Sequence, residues 1–260
     1  MISSCSRWLI VLAALALPGR VLALGHPLRI LCAGDSITDG LDATDSYRAQ
    51  LKLDLAARDV EAEFVGGRSG EYNHASTLKH QGIPGLRVEQ LADQLDGWVD
   101  EFKPDLVLIM IGSNNIWMDY DIAPAQQALR TLLDGVTTRH PAVRFIVSNI
   151  PPVDWPEWGE HVKTFNAIFP IMEKELRRDS LSFVDSYSKI DPKTDLFVRL
   201  SNGNEDRIHP NFLGQAKIAQ VWADAIISLP RPPAPQLGSD WNDRLARSAS
   251  WLPQQGSAWQ

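Results

Sequence analysis

Apolar and polar positions alternate in blocks along this chain. Five short apolar segments have the length and content of buried strands: Leu28–Ala33, Ala62–Val65, Asp105–Ile111, Val143–Asn149 and Leu181–Asp185. The third, Leu-Val-Leu-Ile-Met-Ile, is apolar without interruption, which predicts a central parallel strand covered on both faces. Between them lie stretches with helical spacing. Ser46–Arg58 sets Leu51 and Leu55 on one face, and Arg87–Phe102 does the same with Leu91, Leu95, Trp98 and Val99. Pro124–Arg139 carries its proline in the first turn, and His161–Arg178 and Asn211–Ile227 complete the set. Strands alternating with helices form right-handed βαβ units. The expected fold is α/β, a three-layer α/β/α sandwich around a parallel sheet of about five strands.

The ends of the chain read differently. Arg7 precedes the apolar run Trp8–Leu17, which Pro18 and Gly19 break. That run has the length of a signal-peptide core and falls short of the roughly 20 apolar residues of a membrane span. The expectation is a leader over residues 1–23 cleaved after Ala23, export to the periplasm or the medium, and no stable membrane insertion after cleavage. An uncleaved anchor is the alternative. The body then runs over 24–229. From Pro230 the segment Pro-Arg-Pro-Pro-Ala-Pro is stiff and extended, and the tail 230–260 carries Trp241, Trp251 and Trp259 but is too short for a domain.

Composition narrows the class. Of 260 residues 44% are apolar, enough for a sizeable core. A net charge of -7 argues against a nucleic-acid partner. Of the two cysteines, Cys5 lies in the leader, which leaves Cys32 without an internal partner, a small hydrophobe in a strand.

Chemistry concentrates after the strands. Gly34-Asp-Ser-Ile-Thr-Asp-Gly40 follows the first strand, at the carboxyl end where open α/β sheets bind ligands. Taken alone it is a serine nucleophile or a simple turn. Asp206-Arg-Ile-His209-Pro-Asn211 precedes the last helix. A histidine there can take the proton of a serine hydroxyl, and a carboxylate three residues before it can fix the tautomer. The alternative is a helix-start turn with a surface histidine. His26, His74, His80, His140 and His161 lack such a setting. Gly82-Ile-Pro-Gly85 and Gly112-Ser-Asn114-Asn115 each end a strand region and offer backbone and amide donors for an oxyanion. Trp155 and Trp158, with Asp154 and Glu157, form a candidate substrate rim suited to sugar rings; a packed loop cover is the other reading.

These four blocks, in this order, resemble those of the GDSL, or SGNH, hydrolases, over roughly residues 28–227. Gly-Asp-Ser36 matches the first, Gly82 the second, Asn114 the third, and Asp206 with His209 the last. Ser46-Tyr-Arg, Phe64-Val-Gly and Pro104-Asp-Leu-Val-Leu-Ile-Met-Ile-Gly are also similar. The resemblance implies a flavodoxin-like sheet and a catalytic Ser36–His209–Asp206 set. It implies an oxyanion hole from the Ser36 and Gly82 N–H groups and the Asn114 side chain, with Asp35 bracing the Ser36 loop. Neither a metal nor an organic cofactor is implied. The third block departs from the common pattern, with Asn115 in place of Asp, and the expected consequence is altered support of that loop. His80-Gln-Gly-Ile-Pro-Gly-Leu-Arg-Val is most similar to the secreted acetyl-xylan esterase branch. The implied substrate is a short acyl ester, acetyl foremost, on a small molecule or polysaccharide. Alternatives are a lysophospholipase, thioesterase or general short-chain esterase of the same fold, or a non-catalytic carbohydrate-binding protein. Oligomeric state is left open.

Overall fold

The computed structural model describes residues 26–41, 46–69, 78–118 and 122–229. The expected leader, the tail with its tryptophans, and His74 lie outside the described residues.

The chain enters at β1 (Leu28–Gly34), followed by a single turn of helix, α1 (Ser36–Asp39), and by α2 (Ser46–Ala56). Then come β2 (Ala62–Val65), the two-residue β3 (Gln81–Gly82), α3 (Val88–Phe102), β4 (Leu106–Met110), α4 (Ser113–Met118) and α5 (Ile122–Arg139). The second half holds β5 (Arg144–Ser148), α6 (Pro156–Asn166), α7 (Phe169–Glu175), β6 (Leu181–Val184) and α8 (Phe212–Ser228). All pairings are parallel, in the order β2-β1-β4-β5-β6, with β3 continuing beyond β2 along the flank of β1. The sheet therefore has six strands rather than five. The sixth is too short to leave an apolar signature in the sequence.

Both faces of the sheet are covered, and side-chain alternation divides the core in two. From β1 and β4, Leu31, Ala33, Val107 and Ile109 join Leu91, Leu95, Leu129 and Phe165 on the α3, α5 and α6 side. Ile30, Cys32, Leu108 and Met110 join Leu51, Leu55, Ile218 and Trp222 on the α2 and α8 side. That arrangement is the expected three-layer sandwich.

Helix ends differ from expectation where local chemistry intervenes. The stretch 161–178 is two helices, because Pro170 has no N–H to continue a first helix and instead sits in the opening turn of α7. α6 begins earlier than its apolar spacing suggested, at Pro156, a helix-starting position. α8 is capped by Asn211, whose Oδ1 accepts from the Leu213 and Gly214 N–H groups.

The order of strands reverses direction at β1 and β4. β1 leads outward to β2, while β4 leads the other way to β5 and β6. The crevice at the carboxyl ends of such a pair is where open α/β sheets bind ligands. Ser36 follows β1 and Asn114 follows β4.

Candidate active site

Asp35 ends β1 and caps α1, its Oδ1 accepting from the Ile37 N–H at 3.0 Å. This places Ser36 in the first turn, with its hydroxyl facing across to the loop before α8. The Ser36 hydroxyl is 2.8 Å from His209 Nε2 and can donate to it. On the other side of the ring, Nδ1 donates to Asp206 Oδ2 at 2.6 Å. The second oxygen of Asp206 accepts from the backbone N–H of Ile208 at 2.7 Å and of His209 at 3.1 Å, so the carboxylate also shapes the turn that presents the histidine. Burial pushes the Asp206 carboxyl up, but the His209 hydrogen bond and charge and the two N–H groups outweigh it, and the net shift is downward. Asp206 and His209 lie on the returning arm of a hairpin-like excursion. It is joined by pairings of Leu196 with Pro210 and Arg199 with Glu205, and by a bond from the Phe197 N–H to the His209 carbonyl.

Ser36, Asn114 and His209 line one end of a cavity of about 170 Å³. The rest of its wall is largely apolar, including Ile37, Ile116, Trp117, Val153, Trp158 and Ile208. Asn114 donates from Nδ2 to the Leu86 carbonyl at 3.0 Å, which fixes the side chain and leaves its second amide hydrogen available. Leu86 belongs to the turn closed by its own N–H on the Ile83 carbonyl, with Pro84 and Gly85 at the centre. Gly85 has φ +83°, a left-handed conformation that suits glycine. Its N–H has no partner among the described residues.

Gly82 stands differently from the expectation. Its N–H donates to His80 Nδ1 at 3.0 Å, and it is not among the residues lining the cavity. It is packed so closely against α1 that a Cβ would come within 2.3 Å of the Asp39 nitrogen. The structure thus gives Gly82 a steric reason to be glycine. Burial, with Arg48, Arg68 and Lys79 nearby, pushes His80 down to about 3, which keeps the ring neutral and able to accept from Gly82.

Asp35 is fully buried, and burial pushes its carboxyl up to about 6 against the pull of the Ile37 N–H, His209 and Ser113. Asn115 is buried too. Its Oδ1 accepts from the Val88 N–H at 3.0 Å, and its Nδ2 donates to both Glu89 oxygens at 3.0 and 3.1 Å. The amide therefore joins α4 to the start of α3, and an aspartate could not make the second contact.

The tryptophans form a group of three, of which sequence reasoning missed one. Trp117 stacks on Trp158 at 4.8 Å with 31° between planes and meets Trp155 edge-on at 5.7 Å. Trp117 and Trp158 line the cavity; Trp155 supports Trp117 from outside it. Trp117 lies three residues after Asn114 on one short helix, a spacing that puts both on one face. That signal was available in the sequence.

The profile of the GDSL-like Lipase/Acylhydrolase family matches residues 32–217, which include every group just described. This chain belongs to that family. Among similar proteins, a multidomain esterase of Ruminococcus flavefaciens is 24% identical over 234 residues, covering 80% of this chain. An acetylxylan esterase of Xylanibacter ruminicola is 28% identical over 227 residues and 76% of this chain. This chain spans 29% of the first protein's length and 43% of the second's. A family 3 carbohydrate esterase of Clostridium thermocellum has a similar structure, with a TM-score of 0.64 and 26% identity over 76% of this chain and 94% of that one. Ser36, Asn114 and His209, spread across 174 positions, meet at one cavity. Among the described residues, no cluster of three or more His, Cys, Asp or Glu is placed to hold a metal, and no helix is long and apolar enough to cross a membrane.

Proposed function

We propose that this protein is an exported serine esterase that removes short acyl groups, acetyl foremost, from a carbohydrate. The observation that carries the reading is the unbroken chain Ser36 Oγ, His209 Nε2, His209 Nδ1, Asp206 Oδ2, with contacts of 2.8 and 2.6 Å, opening on an apolar cavity. Ser36 attacks the ester carbonyl as His209 takes its proton, and Asp206 stabilises the imidazolium that forms. The tetrahedral oxyanion is held by the Ser36 N–H and the free amide hydrogen of Asn114. His209 then protonates the departing sugar hydroxyl. Water repeats the sequence on the acyl-enzyme and releases the carboxylic acid. The Trp117–Trp158 wall supports a sugar substrate, since indole faces pack well against the apolar faces of pyranose rings. The esterase and acetylxylan esterase names of the relatives support the same assignment, and Arg7 with the apolar run Trp8–Leu17 supports export.

The test compares the mature chain with Ser36→Ala on p-nitrophenyl acetate and on acetylated xylan, reading nitrophenol and acetate. The wild type should release both and the variant should lose at least about 10³-fold in kcat. Equal rates in the two proteins would remove Ser36 from the mechanism. Nitrophenol release without acetate from xylan would leave an esterase with another substrate.

A further inference from the structure

Asp154 stands two residues after Pro152 on the rim loop, where a free carboxylate beside tryptophans would suit a sugar. It is not free. Its Oδ1 accepts from Lys193 Nζ, its Oδ2 accepts from Arg207 Nη1 at 3.4 Å, and its own N–H donates to the Arg207 carbonyl at 2.9 Å. One residue thereby joins three segments. These are the loop after β5, whose Pro151 and Val153 line the cavity; the segment around Lys193; and the arm that carries Asp206 and His209 on either side of Arg207 and Ile208.

That arm is held on its α8 side by other contacts, and on the side of the β5 loop by Asp154. It lies outside the sheet, and its partner strand, around Val198 and Arg199, is itself exposed. The bonds along it, from the Asp206 N–H to the Val198 carbonyl and from the Leu200 N–H to the Asn204 carbonyl, stay within the excursion. Its anchors to the rest of the molecule are the Ser36–His209 bond, Asn211 and Gln215 of α8, whose side chains bond the Thr194, Leu196 and Pro210 carbonyls, Lys217 on Asp195, and, on the cavity side, the contacts of Asp154.

We propose that Asp154 is a positioning residue that clamps the His209 arm against the cavity wall, keeping Nε2 within reach of the Ser36 hydroxyl. The proposal rests on Ser36 and His209 being the working pair. The ion pairs concerned are partly solvated, with Lys193 72% and Arg207 40% exposed at the side chain, and such pairs contribute little to folding. A displacement of a catalytic group by about 1 Å, in contrast, can cost up to 10²-fold in rate. The clamp therefore matters to turnover and hardly at all to stability.

The experiment measures kcat, KM and thermal midpoint for Asp154→Asn, Asp154→Glu and Arg207→Gln in the full chain, on p-nitrophenyl acetate. Asp154→Asn should lower kcat by about ten-fold or more, with KM held within about two-fold. Its midpoint should fall by no more than about 2 °C. Asp154→Glu should recover a large part of the loss, and Arg207→Gln added to Asp154→Asn should cost little more, since both break one clamp. Wild-type kcat in Asp154→Asn overturns the proposal. So does a raised KM at unchanged kcat, which would make Asp154 a substrate contact, or a fall in kcat that merely follows lost folding. Persisting activity in Ser36→Ala would instead refute the underlying site reading, and would do so whatever Asp154 variants show.

Discussion

At the scale of single residues, two aspartates beside Ser36 and His209 are tuned in opposite directions by their surroundings. Asp206 has the His209 ring to bind and is held ionised. Asp35 is fully buried with one backbone N–H on Oδ1, while Oδ2 is unpartnered, so its acid form is favoured up to about pH 6. Because the folded value lies above the ordinary 3.8, the unfolded chain gives up this proton first as pH rises. The stability that Asp35 contributes in its acid form is complete below about pH 4 and is lost as pH rises through about 6. A shift of this size corresponds to on the order of 2–3 kcal/mol. Asp35→Asn, which keeps an N-cap acceptor, should therefore be more stable than the wild type at pH 8 and close to it at pH 4. Urea unfolding at the two pH values checks this; a variant less stable at pH 8 would mean the carboxylate has a partner that repays its burial. Residue-level legibility follows the same division. Ser36, His209 and Asp206 are readable because the chemistry requires those types. That Gly82 must be glycine depends on β3 lying against β1, which brings it onto α1, a contact made with a strand about fifty residues away. No local pattern encodes it.

At the scale of elements, the link between α3 and α4 explains the family's missing aspartate. Asn115 needs an acceptor for Val88 and a donor for Glu89, and only an amide offers both. Asn115→Asp would set a buried carboxylate about 3 Å from that of the exposed Glu89. The expected loss is roughly 1–3 kcal/mol at pH 7, with recovery in the Asn115→Asp, Glu89→Gln double variant, read by urea unfolding. Equal losses in the single and double variants would show that charge is not the cause. Elements of ten residues or more, α6 apart, were legible because their apolar stripes repeat several times. α1 and α4, of four and six residues, complete too few turns to display a period, yet they carry Ser36 and Asn114. Long elements build the scaffold, and the short ones between them hold the chemistry.

At the scale of the whole molecule, one sheet separates two apolar cores, and β4 contributes to both. Leu108 faces the α2 and α8 side and Ile109 the α3 and α5 side, each fully buried. Truncation to alanine at either should cost about 2–5 kcal/mol. Because the cores share their central strand, far-UV dichroism and tryptophan fluorescence should move together in both variants. Separated transitions would mean that the cores fold independently. The fold class was readable from the alternation of buried strands and helices, and the position of the site followed from the topology, since ligands gather where strand order reverses. The grip of the rim loop on the histidine arm was not, because Asp154, Lys193 and Arg207 are far apart in sequence and their charges look like ordinary solvated surface.

Cys32 lies in the middle of β1, with 0% exposure, and burial pushes its thiol up to about 12. Thiol reagents attack the thiolate, so the folded protein is closed to them on two grounds, access and ionisation. Cys32 is the one free cysteine among the described residues. It is also held on the strand that leads into Ser36, between β2 and β4, so exposing it requires the centre of the sheet to come apart. The molecule therefore contains its own clock for global opening, one in which alkylation records how often the whole sheet is breached rather than how its loops move.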